Sequence, residues 1–413
     1  VESKEYDVVI IGGGIVGLST AMQLKEKRVP NWRIAVVEKE PELAGHQTGH
    51  NSGVIHSGIY YRPDSQKAKF CVAGLQALLT FCDENEIEYE QCGKVIVALN
   101  QEEIGRLDTL QERGVANGVR GLEMIGPERL KEIEPHAAGI QALWSPYTGI
   151  IDYRQVALAY ANRFQQSGGE IFTDAPVSKI TRYPDGLVVR TPGGELKTKH
   201  IINCAGLYAD RVAVMMGENV DVRIIPFRGE YFTLRPESHH LVKGLIYPVP
   251  DPRFPFLGVH YTRTIHGQVE AGPNAVLALR REGYKKTDWN FAESMGTFTY
   301  PGFWKMTAKF WKIGMDEMRR SYSKRIFVRD LKKLLPEIQA EDLAPGGSGV
   351  RAQAVARSGA LLDDFSILRG KEAVHVLNAP SPGATSSLAI GSHIAELAAE
   401  AFGGDALKRL TNP

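Results

Sequence analysis

The densest chemistry in this 413-residue chain lies in sixteen consecutive positions, His46-Gln-Thr-Gly-His-Asn-Ser-Gly-Val-Ile-His-Ser-Gly-Ile-Tyr-Tyr61. Three histidines, three glycines, small hydroxyl residues and two tyrosines share this stretch. A packing element would show apolar periodicity, and this stretch does not. It predicts a polar loop whose backbone lies against a ligand. Val54, Ile55 and Ile59, set between the polar residues, argue against a solvated surface loop. Two further groups stand out by context. Arg228 and His260 sit inside otherwise apolar strands. A buried arginine is costly unless partnered, so each is expected either to be paired structurally or, the preferred reading, to face a polar cavity. A third cation, Arg351, closes the glycine-rich run Gly346-Gly-Ser-Gly-Val-Arg-Ala-Gln353.

These groups need a frame, and the N-terminus supplies one. Tyr6-Asp-Val-Val-Ile-Ile runs into Gly12-x-Gly14-x-x-Gly17, and helix-forming residues follow from Leu18 to Lys27. Strand, tight turn and helix in this order make a pyrophosphate site. Gly12 permits the turn, Gly14 has no side chain to hold a phosphate away, and Gly17 lets helix and strand pack closely. The helix N-terminus offers free N–H groups and the positive end of its dipole. A second strand, Arg33-Ile-Ala-Val-Val-Glu38, ends in an acid 21 residues past Gly17, where a βαβ unit places a carboxylate on ribose hydroxyls. A similar strand, Lys199-His-Ile-Ile-Asn-Cys-Ala-Gly206, precedes a helix from Asp210. Residues 1–50 and 150–215 are therefore expected to share one discontinuous domain. Between them the spacing predicts a helix within 64–85, a strand over Val95–Leu99, a charged helix over Glu102–Asn117 and a helix over Tyr153–Ser167 capped by Asp152.

Residues 222–280 are strand-rich and predict an antiparallel sheet, with Phe256–Thr262 and Gln268–Leu279 pairing across Ile265-His-Gly267. A final helix is expected to run to about Phe402, with Thr385 or Ser386 as its cap. The segment from Trp289 to Trp311 is different. It holds Phe291, Phe298, Tyr300, Phe303, Trp304, Phe310 and Trp311, and from Phe303 to Arg325 there are seven Lys/Arg against two acids. Aromatics interleaved with cations suit a membrane surface. The competing reading is a helical cap whose aromatics enter the core.

Composition narrows the class. A net charge of +1 gives no sign of nucleic-acid binding. Cys71, Cys82, Cys92 and Cys204 have no CxxC spacing, which argues against zinc or a disulfide framework. No apolar run is long enough to span a membrane. The chain opens Val1-Glu2, as a processed or truncated product would, so a targeting segment would be invisible.

Taken together, the glycine turn, Glu38, Asn203-Cys-Ala-Gly206 and the Gly383–Thr385 helix start resemble the FAD-dependent oxidoreductases of the D-amino-acid oxidase and glycerol-3-phosphate dehydrogenase superfamily. Longer motifs are similar to the L-2-hydroxyglutarate dehydrogenase family within it: residues 46–61, Gln91-Cys-Gly-Lys94, Asp152-Tyr-Arg-Gln155, Pro226-Phe-Arg-Gly-Glu-Tyr231, Phe254-Pro-Phe-Leu-Gly-Val-His260, Gly272-Pro-Asn-Ala-Val276, Gly349-Val-Arg-Ala-Gln353 and Asn378-Ala-Pro-Ser-Pro382. The wording of 46–61 looks more like the animal mitochondrial form. Gly383, where the family more often has Ala, is a departure.

The resemblance implies an α/β fold: a Rossmann-like FAD-binding domain (1–90, 150–220 and 340–413) and an antiparallel-sheet substrate domain (91–149 and 221–339); within the latter 289–325 is a candidate membrane-facing segment on its own aromatics and cations, and 289–311 is the least family-like part. The resemblance also implies oxidation of L-2-hydroxyglutarate, a small dicarboxylic 2-hydroxy acid, to 2-oxoglutarate, with noncovalent FAD as hydride acceptor. Two carboxylates need cations, for which Arg351 and Arg228 are the candidates, with hydroxyl bonds from Tyr61, Tyr60 and Tyr231. The hydroxyl proton needs a neutral base, which suits His56 first and His260 second. Gly12, Gly14 and Gly17 are assigned to the pyrophosphate, and Glu38 with Lys39 to the ribose end. Thr48, Asn51 and Ser52 are expected along the pyrophosphate and flavin, Val177 beside the adenine, and Ala205 and Gly206 over the nucleotide. Gly383, Ala384 and Thr385 are expected at the isoalloxazine. Quinone or an electron-transfer flavoprotein would take the electrons, at the mitochondrial inner membrane or, alternatively, a bacterial cytoplasm or inner-membrane face. An amine oxidase of the same fold and a non-catalytic flavin-binding module are the competing readings.

Overall fold

The computed structural model describes residues 4–253 and 257–403. Phe254 and Phe256, which open two of the expected motifs, lie outside the described residues.

The first strand, Lys4–Ile11, is central to a mostly parallel sheet. It pairs in parallel with Ile34–Val37 on one side and Gly194–Asn203 on the other. Glu170–Phe172 extends the first side, and Ala373–Asn378 pairs in parallel with the end of the second. The hairpin Lys179–Tyr183 and Gly186–Thr191 adds to the start of Gly194–Asn203. Period-two alternation splits the apolar residues between two faces. Val8 and Ile10 face a core built with the helices Ile15–Gln23, Gln66–Glu84, Tyr153–Gln166 and Ser387–Phe402. Val9 and Ile11 face the hairpin and the helix Ala209–Met215. A sheet buried on both sides explains why its strands read as unbroken apolar runs rather than alternating ones. Asp152 does cap its helix, accepting from the Arg154 N–H at 2.8 Å.

The second sheet runs in the order 343–356, 222–234, 269–272, 260–263, 245–248, 94–98, 141–145, 123–125. It is antiparallel as expected, apart from one parallel pair, Leu245–Pro248 with Lys94–Ala98. The expected hairpin is present as His260–Arg263 against Val269–Gly272. Sheet membership departs from the division placed at 340. Leu343–Ala356 pairs along nearly its whole length with Val222–Leu234, so its hydrogen bonds tie it to the second sheet. A small antiparallel sheet of 54–55, 149–151 and 89–90 lies apart from both.

The aromatic segment forms two helices, Phe291–Phe298 and Pro301–Tyr322, the second interrupted at Phe310. The expectation of a helical cap whose aromatics enter the core holds in part. Phe303 and Met306 enter a core with Tyr300, Ile225 and Val355, and Phe298 and Phe310 pack on it. Trp304, Trp311, Met315, Met318 and Tyr322 form an exposed stripe, with Trp304 and Trp311 each 56% accessible. No helix among the described residues is long and apolar enough to cross a membrane.

Candidate active site

The glycine turn is built as its spacing requires. Gly12 has φ of +116°, and a Cβ there would lie 2.4 Å from the Cys204 carbonyl oxygen. A Cβ on Gly17 would lie 2.0 Å from the Gly12 carbonyl oxygen. Gly17 therefore fixes helix against turn and does not itself line the cavity, a correction to its assignment at the pyrophosphate. Gly12 and Gly14 do line it. The helix N-cap, Gly14, has no side chain to offer the first turn. Thr48 Oγ1 accepts from the Ile15 N–H at 3.0 Å instead. Glu38 closes the second strand and is buried. Its Oε2 accepts from the Gly13 N–H at 2.7 Å and its Oε1 from the Glu40 N–H at 3.0 Å. The carboxylate thus clamps the turn, with further lone pairs left for a ligand.

Lys39, Asn51, Ser52, Val177, Ala205 and Gly206 line the same cavity, of about 910 Å³. The Asn51 amide also orders its own loop, bonding the carbonyls of Gln47 and Thr48 and the Gly53 N–H. Glu40, His46 and Glu282 present ligand atoms within 4.8 Å of one another. The Lys39 ammonium sits among them, 2.5 Å from Glu282 and 2.8 Å from His46, and offsets one of the two carboxylate charges.

The cavity continues to His56, Tyr231, Tyr247, His260, Arg351 and Gly383–Thr385. Strand register decides which cation arrives there. Phe227 lies opposite Arg351, and Arg228 opposite Val350. Side chains directly opposite share a face and neighbours alternate. Gly229 and Tyr231 follow Arg351 into the cavity, and Arg228 points away from it. Its guanidinium binds Glu230 Oε1 at 2.9 and 3.1 Å and the Lys285 carbonyl at 3.0 Å. Arg228 is a structural ion pair, which corrects its assignment to substrate. Tyr60 and Tyr61 also fall outside the cavity lining. Tyr61 is hydrogen-bonded to Ser381, and the Tyr60 ring covers the Lys94 ammonium at 4.5 Å.

Thr385 is a junction rather than a cap. Its Oγ1 lies 2.7 Å from the Tyr153 hydroxyl and accepts from the His56 N–H at 3.1 Å. The last helix starts after Ser386, whose hydroxyl makes no cap bond, so neither candidate hydroxyl caps it. Three distant segments meet at this one hydroxyl, beside the site.

The electrostatics favour neutral histidines and anionic ligands. Burial, then the positive charge of Lys94, hold His56 down at about 3. Burial also holds His260 at about 3, with Arg351 and Lys94 acting in the same direction. His260 Nδ1 lies 2.8 Å from the Gly258 carbonyl, so Nδ1 carries the proton and Nε2 keeps a free lone pair. His56 Nδ1 is buried with no partner among the described residues. Burial pushes the Tyr231 hydroxyl up to about 12, so it stays a donor.

FAD fits these residues. Gly14 leaves room at a helix N-terminus, a single cavity runs from Val177 to Arg351, and an orphaned His56 nitrogen lies at the far end. Cys204 lines the cavity, and burial pushes its thiol up to about 12. Lys94, Tyr153 and Tyr247 were missed as site residues by the sequence reading. Lys94 carried the same signal as Arg228, a lone cation in an apolar strand.

Comparison with known proteins agrees with the geometry. Residues 7–397 match the DAO family, described as FAD dependent oxidoreductase. The L-2-hydroxyglutarate dehydrogenase of Indibacter alkaliphilus is 53% identical over 96% of this chain and 100% of that protein. The mitochondrial L-2-hydroxyglutarate dehydrogenase of Bos taurus is 48% identical over 97% and 90%. Among solved structures, the FAD-bound L-alpha-glycerophosphate oxidase of Mycoplasma pneumoniae superposes with a TM-score of 0.78 at 23% identity, covering 97% of this chain and 95% of that one. Glycine oxidase from Geobacillus kaustophilus gives 0.72 at 17%, covering 96% and 95%. These last two show the fold alone.

Proposed function

Because this chain belongs to the DAO family of FAD-dependent oxidoreductases, and within it to the L-2-hydroxyglutarate dehydrogenases, we propose that it oxidises L-2-hydroxyglutarate to 2-oxoglutarate. The observation that carries this reading is the placement of Arg351, His56 and His260 on one end of a single cavity whose other end is the glycine turn. Bound FAD supplies the hydride acceptor. Arg351 holds one carboxylate through its guanidinium fork, and Tyr231 donates a hydroxyl bond beside it. His260 is the better-placed base for the substrate hydroxyl, because its Nδ1 proton is committed to Gly258 and Nε2 is left to accept. His56 orients the hydroxyl and serves as the second candidate. Each histidine stays neutral in the empty site, and the incoming dianion raises its proton affinity when it is needed.

Arg228 has no part in this reading. Gly12, Gly14, Glu38, Lys39, Thr48, Asn51, Ser52, Val177, Ala205 and Gly206 hold the nucleotide, and Gly383 to Thr385 border the flavin. Attachment is noncovalent, in keeping with the raised, unreactive thiol of Cys204. The exposed Trp304–Trp311 stripe, with Lys305, Lys309 and Lys312 beside it, docks on an anionic membrane surface. There quinone or an electron-transfer flavoprotein takes the electrons. The compartment is the mitochondrion, peripheral on the inner membrane, with the bacterial inner-membrane face as the alternative.

Anaerobic addition of L-2-hydroxyglutarate to the holoenzyme should bleach the oxidised flavin band. If that acid leaves the spectrum unchanged while glycine or another amino acid bleaches it, the protein is an amine oxidase of the same fold. If no small acid reduces the flavin, it is a binding module.

A further inference from the structure

Lys94 has no role in the reaction so far. It starts the strand Lys94–Ala98 and is 1% exposed, among the largest fully buried side chains of the chain. A lysine taken out of water is costly unless a carboxylate answers it. Among the described residues none does. Its ammonium lies 4.5 Å from the Tyr60 ring centre and 5.2 Å from that of Tyr247, both cation–π distances. Tyr247 in turn stacks on His260 at 3.9 Å, and both rings line the cavity. Lys94 is thus one ring behind the wall that faces the substrate.

The sheet excludes an acid as the hidden partner. The register runs Lys94, Leu245, Thr262, Glu270, so these four share one face. Glu270 is three strands away, about 14 Å at ordinary strand spacing. On the other side Lys94 is opposite Ser145, which is neutral and bonded to Ser57 and Thr148. From the helix Gln66–Glu84 the facing group is Cys71, whose thiol burial pushes up to about 12. From the loop strands it is His56, and from the sheet His260, beyond which lies Arg351. Apart from the distant Glu270, whose carboxyl burial pushes up to about 7, every facing group among the described residues is neutral or positive in the absence of ligand.

We propose that Lys94 is a positioning residue, the buried counter-charge that makes a doubly charged acid welcome and keeps the two histidines neutral until it arrives. This rests on the dicarboxylate reading above. The charge acts through the field and touches neither substrate nor flavin. Burial holds the ammonium down at about 7, so the counter-charge is present below that pH and withdrawn above it.

The test uses the holoenzyme, glutarate as an unreactive dicarboxylate, and calorimetry, with the pH profile of kcat/KM as a second readout. In the unaltered protein glutarate affinity should fall as pH rises through about 7. Lys94→Met keeps the volume and removes an unanswered charge, so it should fold at least as well. It should bind glutarate about tenfold more weakly at about pH 6, with no step near pH 7, and the acid limb of kcat/KM should move up by about one unit as the histidines are released. Lys94→Arg keeps the charge at every working pH and should bind glutarate evenly from about pH 6 to about pH 9. Glutarate binding by Lys94→Met that matches the unaltered protein in strength and pH profile overturns the proposal. So does a surviving step in Lys94→Arg. If the unaltered holoenzyme binds no glutarate at any pH, the dicarboxylate reading itself fails, and with it the ground for this one.

Discussion

Replacing Glu38 by glutamine keeps shape and length and changes one atom, yet the geometry makes it costly. Two backbone amides converge on this carboxylate from different sides. The Gly13 N–H reaches Oε2 at 2.7 Å and the Glu40 N–H reaches Oε1 at 3.0 Å. A carboxylate accepts at both oxygens, whereas a carboxamide accepts at one and donates at the other. Whichever way the carboxamide turns, one backbone N–H meets an N–H. The side chain is buried, so water does not replace the missing acceptor. An unmet buried donor costs about 1–3 kcal/mol. Gly12 and Gly14, on either side of the Gly13 amide, and Lys39, beside Glu40, line the cofactor cavity, so a mismatch that displaces either amide displaces the cavity wall. The cost should therefore appear as FAD affinity weakened roughly five- to a hundredfold. The assay is recovery of flavin fluorescence on dilution of Glu38→Gln holoenzyme. Glu42→Gln, which loses only an exposed pair with Arg154, is the control and should stay within about twofold. Glu38→Gln that holds FAD as tightly as the control would refute the clamp.

Three other expectations concern stability and docking. His56 and His260 have folded values near 3 against about 6.5 unfolded, so the unfolded chain binds more protons between these limits. Stability should therefore fall as pH drops from about 6.5 toward 3, by up to about 1.4 kcal/mol per pH unit for each histidine; a urea midpoint unchanged between about pH 7 and about pH 5 would count against their burial as neutral groups. Gly17→Ala puts a methyl 2.0 Å from the Gly12 carbonyl and should abolish FAD retention, whereas Gly105→Ala, in open space on a helix, should stabilise by about 0.5–1 kcal/mol in urea titration. Trp304→Ser with Trp311→Ser should release the protein from anionic liposomes, and unchanged co-sedimentation would remove the membrane surface from the account.

Much of the fold was legible because its signals are local. A strand running into three glycines can do little else, and the acid after the second strand follows from the same unit. The mistakes share one cause. Arg228, in an apolar strand, and Arg351, in a glycine-rich run, both looked like cations for the substrate, and only the pairing register puts them on opposite faces. Register is set by a partner more than a hundred residues away, beyond any local pattern. Lys94 was overlooked for a related reason. Its importance comes from the distance of the nearest acid, Glu270, on a face assembled from strands at 94, 245, 260 and 269, and a sequence does not display that spacing. The aromatic segment was undecided because its rings divide: the helix turns some of them inward and the others out. Thr385 lines the cavity but was given the wrong duty as a helix cap, since its partners Tyr153 and His56 come from other parts of the chain.

The junction at Thr385 also bears on how the protein is made. The glycine turn is synthesised well before Ala373–Asn378 and the hydroxyl that fastens the His56 loop. A chain emerging from the ribosome carries the glycine turn long before the strand and the hydroxyl that complete the far end of the cavity. Closure of the cavity therefore waits on both segments. A product cut short after residue 340 would keep the glycine turn and lack Ala373–Asn378 and Thr385, and with them the fastening of the His56 loop.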